Sequence, residues 1–155
     1  MSQVNNPDAV VIDASILVSI SSKEAATYIA VEAALDSYTE KGSLFFAPNV
    51  IVGEVIFALC QKLVSRVLTE AQHEKAIESF VDLAKDISMP KNEMDLVVRA
   101  NKIRQSYGCS RSADGLYIAL AEDLEKIGTV VLLTLDKGMT NQAEKNAPTV
   151  TVKVL

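Results

Sequence analysis

At 155 residues and 49% hydrophobic composition, the chain suits one domain with one large core. Its 15 basic residues against 20 acidic ones, a net charge of −5, exclude a domain held to nucleic acid by a broad basic surface. Two cysteines in separate segments, Cys60 and Cys109, argue against a disulfide framework, and no apolar stretch approaches the roughly 18–20 residues of a membrane span.

The first apolar, β-branched run, 9–13, predicts a strand buried on both faces, and it ends on a carboxylate, Asp13, followed by Ala14 and Ser15. An Ala-rich helix is expected over 22–40, stopping near Gly42. A second buried strand over 43–47 leads to Pro48, which opens a helical pattern over 49–64 containing Glu54 and Cys60. Thr69 opens a helix over 69–84, a weak strand at 85–88 is halted by Pro90, and Asn92 and Ser112 open helices over 92–106 and 112–127. A third buried strand, 129–135, precedes Asp136, and alternation over 149–153 predicts a last strand. Strands alternating with helices imply an α/β fold: a single domain over 1–155 with a central, mainly parallel sheet flanked by helices on both faces. Ligand sites in such sheets lie beyond the carboxyl ends of the strands, where Asp13 and Asp136 fall.

Three of the four acids have an ordinary explanation. Asp13 suits a helix N-cap, Asp136 before Lys137-Gly138 suits a turn, and Asp114 suits the positive end of a helix dipole. Glu54 is harder to explain, because Val50, Ile51, Val52, Val55, Ile56 and Phe57 leave it little solvated face. Carboxylates where buried elements end are costly unless a cation sits before them, so together the four point to a divalent-metal site. All-oxygen donors suit Mg²⁺ or Mn²⁺. The one histidine, His73, lies in a polar stretch with no Cys or His beside it, which disfavours zinc and places it at the surface. No phosphate-cradling GxxxxGK[ST] or GxGxxG loop is present.

The order of these pieces resembles a PIN-domain ribonuclease, the fold of the toxin in VapBC toxin–antitoxin pairs. The matching residues are Val11-Ile12-Asp13-Ala14-Ser15, Pro48 with Glu54, Ser112-Ala113-Asp114-Gly115-Leu116-Tyr117-Ile118-Ala119-Leu120-Ala121, and Leu133-Thr134-Leu135-Asp136. They span residues 10 to about 140, and Asp-x-x-Tyr-x-Ala-Leu-Ala followed by Thr-x-Asp is the most specific part. Members of that family often have Asn three residues after the helical Glu, where this chain has Phe57.

The resemblance implies a catalytic and metal-holding site of Asp13, Glu54, Asp114 and Asp136, with Ser15 and Thr134 as polar support. One or two Mg²⁺ or Mn²⁺ ions there would activate water against an RNA phosphodiester. Arg99, Lys102, Arg104 and Arg111, in a stretch without acids, are the candidates for RNA contact, against the plain alternative of a solvated basic helix face. A homodimer is expected from the resemblance and the apolar face of 50–64, and an antitoxin partner from the resemblance alone. The polar N-terminus lacks a basic n-region, so a cytoplasmic location without membrane association is expected. Two alternatives stay open: a non-toxin PIN protein of RNA processing, and a catalytically silent RNA- or protein-binding module. A receiver domain would carry paired acids where Asp13 is followed by Ala14, and a haloacid-dehalogenase phosphatase would need an acid where Ser15 stands.

Overall fold

The computed structural model describes residues 6–105 and 114–155. Its strands are β1 (Ala9–Ile12), β2 (Leu44–Phe46), β3 (Ile87–Ser88), β4 (Val130–Thr134) and β5 (Thr151–Val154). Its helices are α1 (Ala14–Ser22), α2 (Tyr28–Glu40), α3 (Val50–Val64), α4 (Glu70–Ala84), α5 (Met94–Gln105), α6 (Asp114–Leu124) and α7 (Lys137–Asn146). The strands form one sheet in the order β3-β2-β1-β4-β5, and every pairing is parallel. The chain moves outward from β1 through β2 to β3, then returns to β4 and β5 on the other side. Right-handed crossovers therefore put α1–α4 on one face and α5–α7 on the other, consistent with the packing of α1 on α3 and α4 and of α5 on α6. Strand order reverses between β1 and β4, the crevice in which such sheets hold ligands.

The central strands behave as their sequences predict. Every residue of β1 and β4 is buried, and Ile12 pairs with Leu133 so that both chains leave the sheet side by side. Helix α4 begins at Thr69 with a full capping box, Thr69 accepting from the Gln72 amide and Gln72 accepting from that of Thr69. Gly115 permits the close crossing of α5 and α6, since a Cβ there would lie 2.7 Å from the Ala100 carbonyl oxygen.

Several expectations need correction. The helix expected over 22–40 begins only at Tyr28, as α2, and a separate α1, capped by Asp13, precedes it and ends at Ser22. Lys23 then adopts the left-handed conformation, and the chain turns before α2 starts at Tyr28. The run 43–47 is not buried on both faces: Leu44 is 63% exposed and Phe45 and Phe46 are half-buried. Residues 137–146, read as following a turn, form α7, which Asp136 caps by accepting from the Gly138 amide at 2.8 Å. His73, expected at the surface, is half-buried on α4. The expected starts and ends at 106 and 112, together with Cys109 and Arg111, lie outside the described residues. No described helix is long and apolar enough to cross a membrane.

Candidate active site

The site is built around the exit from β1. The Asp13 amide extends the ladder by donating to the Leu133 carbonyl at 3.0 Å, which fixes the backbone before the side chain is placed. Asp13 is only 7% exposed, and its carboxylate meets three donors. Oδ1 accepts from the Ala14 amide at 2.8 Å, and Oδ2 accepts from the hydroxyls of Ser15 at 2.7 Å and Thr134 at 2.8 Å. Thr134 Oγ1 accepts in turn from the Asp136 amide at 2.9 Å, and Ser15 Oγ from that of Leu135 at 3.1 Å. Neutral hydroxyls thus tie the ends of β1 and β4 together, with Ser15 and Thr134 both donating to Asp13.

Glu54 enters from α3, half-buried, and its Oε1 accepts from the hydroxyl of Tyr117 on α6 at 2.7 Å. Burial pushes the Glu54 carboxyl above its ordinary range, the Tyr117 hydrogen bond pulls it back in part, and the nearby Asp13 charge pushes it up again. The fully buried Tyr117 phenol is itself pushed up, by burial first and then by its hydrogen bond to Glu54 and the charges of Glu54 and Asp13. The Asp13 charge therefore reaches Glu54. Neither makes an ion pair with a basic side chain among the described residues.

Asp114 opens α6, one turn before Tyr117 and on the same helix face. Its Oδ2 accepts from the side-chain amide of Gln142, a buried residue of α7, at 2.6 Å. Asp136 is joined to Asp13 through Thr134 while its own Oδ1 caps α7. The structure thus brings the Asp13 charge to bear on Glu54, links Asp136 to Asp13 through Thr134, and anchors Asp114 to α7. Among the described residues, no group of three or more His, Cys, Asp or Glu side chains is arranged to hold a metal ion. By donor chemistry the residues fit a hard divalent cation, since Asp13 and Glu54 offer carboxylate oxygens with no cationic partner among the described residues.

The basic stretch divides. Arg99 forms a bidentate pair with Glu122, at 2.7 and 2.9 Å, and its Nη2 also donates to the Asn146 carbonyl at 2.5 Å. Its guanidinium clamps α5 to α6 and to the end of α7 while staying partly exposed. Lys102 is exposed, and Arg104 is half-buried, its side chain lying along Gly115.

Tyr117 and Gln142 were given no role by sequence reasoning. Tyr117 carried a signal, a phenol one turn after Asp114 on an otherwise aliphatic helix face. Gln142 carried none, because the helix that presents it was not expected.

The PIN domain family model matches residues 10–145. The chain belongs to the PIN domain family. PIN domains are generally nucleases. Among solved structures, the PIN fold of this chain is similar to VapBC2 from Rickettsia felis, crystallised with a DNA fragment from its promoter. That likeness has 10% identity, covers 95% of this chain and 98% of the other, and has a TM-score of 0.59. FitAcB from Neisseria gonorrhoeae is similar at 18% identity, with 92% and 95% covered and a TM-score of 0.59. A domain of a functionally unknown protein from Methanocaldococcus jannaschii is similar at 15% identity, with 96% and 91% covered and a TM-score of 0.53. No curated protein matches the chain.

Proposed function

We propose that this PIN domain is a Mg²⁺- or Mn²⁺-dependent endoribonuclease and the toxin of a toxin–antitoxin pair. The observation that carries the reading is the Asp13–Glu54 pair, two neighbouring carboxylates at the switch point of the sheet without a basic partner among the described residues. Such a pair is costly to desolvate unless a cation compensates it. Asp13 and Glu54 hold the ion, with Asp114 and Asp136 completing the acidic set. Mg²⁺ or Mn²⁺, when bound, supplies Lewis acidity that lowers the pKa of water and offsets phosphate charge. Ser15 and Thr134 keep Asp13 in place, and Glu54 orients the attacking water and receives its proton. Lys102, Arg104 and Arg111 are the candidates for RNA phosphates, with Arg99 committed to Glu122.

The test compares wild type with Asp13→Asn, purified identically, on one labelled single-stranded RNA with Mn²⁺, with EDTA, and on DNA of the same sequence. Wild type should cleave only the RNA and only with metal, and the variant should be inactive. Equal cleavage by both proteins, or cleavage undiminished by EDTA, overturns the reading.

Two partners accompany it. A groove of about 550 Å³ between α2 and α4, floored by β2, has apolar walls including Leu17, Leu35, Phe45 and Leu83 and carries Glu32, Asp36 and Asp86 against a single Lys23. That charge balance favours an antitoxin segment with an apolar face and basic residues. A second copy is the reading for the outer face of α3, where Ile56, Phe57 and Val64 are exposed. Sedimentation at high micromolar concentration checks the dimer, and a species of only 16.7 kDa overturns it.

A further inference from the structure

We propose that Tyr117 and Gln142 are the positioning residues of this site, each a neutral donor from a second element that fixes one oxygen of a helix-borne carboxylate. Tyr117 holds Oε1 of Glu54 at 2.7 Å, and Gln142 holds Oδ2 of Asp114 at 2.6 Å. The proposal rests on the metal-dependent reading above.

The choice of donor is informative. A lysine or arginine at either place would neutralise the carboxylate and compete with a divalent ion, whereas a phenol or an amide orients it and leaves its charge intact. Both donors are interior residues, Tyr117 fully buried and Gln142 1% exposed. An interior polar group lowers stability unless its bonds are made, and an aliphatic side chain would pack there more favourably. Gln142 retains this cost, since its carbonyl oxygen is buried with no hydrogen-bond partner among the described residues. Its amide is thus better explained by Asp114 than by stability.

The experiment uses Tyr117→Phe, which removes only the hydroxyl, and Gln142→Met, which keeps nearly the same volume. Mn²⁺ affinity is measured by calorimetric titration without RNA, alongside kcat and KM for RNA and the melting temperature of the metal-free protein. Each variant should bind Mn²⁺ about 10–100-fold more weakly and lose kcat, with KM for RNA little changed. Because Tyr117 acts through Glu54, adding Tyr117→Phe to Glu54→Gln should weaken Mn²⁺ binding no further. Wild-type Mn²⁺ affinity in both single variants, with only the melting temperature lowered, overturns this proposal and leaves the nuclease reading intact. So does a full additional loss in the double variant. A wild type that takes up no Mn²⁺ overturns both.

Discussion

Thr134 donates its hydroxyl to Asp13 Oδ2 at 2.8 Å, joining residues 121 positions apart in sequence. The parallel register Ile12–Leu133 sets each one residue beyond that pair, and the Asp136 amide bonds to the same hydroxyl. One buried side chain thus spaces the two strand-end acids.

Replacing Thr134 by valine keeps the shape and removes a donor and an acceptor together. Asp13 loses one of its three donors and the Asp136 amide loses its acceptor. The expected cost is about 1–3 kcal/mol, read from the urea midpoint at constant slope, with cleavage reduced as well. An unchanged midpoint would show that the hydroxyl contributes nothing to the fold.

Glu54 gives the protein a pH signature. Its folded-state pKa is raised, so the native carboxyl holds its proton at pH values where the unfolded one has released it. The unfolded state therefore binds fewer protons, and this group's contribution falls as pH rises from the ordinary 4.5 through the raised value. Glu54→Gln, metal-free, should gain melting temperature relative to wild type at pH 7 and lose that advantage below pH 4.5. Equal differences at both pH values would contradict the assignment.

Arg99 and Lys102 should separate cleanly. Arg99→Met removes a bidentate pair and a carbonyl contact at a partly exposed site, for a cost of about 1 kcal/mol, and leaves the salt dependence of RNA binding unchanged. Lys102→Ala should leave stability unchanged and reduce the salt slope by about 0.7 if it contacts one phosphate of a single strand. Binding isotherms at several salt concentrations measure both, and a reduced slope for Arg99→Met would reverse the assignment.

Gly115→Ala tests the packing behind Asp114. The added Cβ would lie 2.7 Å from the Ala100 carbonyl oxygen and 2.8 Å from Arg104 Cγ, so α5 and α6 must separate. A loss of about 1–3 kcal/mol is expected by thermal or urea unfolding. A neutral substitution would mean that the crossing adjusts freely.

The sequence by itself determined the features that depend on neighbours in the chain. Runs of β-branched residues specified β1 and β4, Thr69 and Gln72 specified the start of α4, and placement at element ends marked Asp13, Asp114 and Asp136 for attention, as apolar helical neighbours marked Glu54. Local pattern failed where a neighbouring element supplied the stabilisation. Helix α7 is polar with only a narrow buried face, and α1 is short and apolar enough to pass as loop or strand; both are fixed by a strand-end aspartate cap and by packing. Tertiary structure alone decided which side chains meet. The strand order sets β4 beside β1, so Thr134 reaches Asp13, and α3 and α6 converge where Tyr117 finds Glu54. It also gave Arg99 to Glu122 and Gln142 to Asp114, pairings that no periodicity encodes because each depends on two elements docking at a fixed angle.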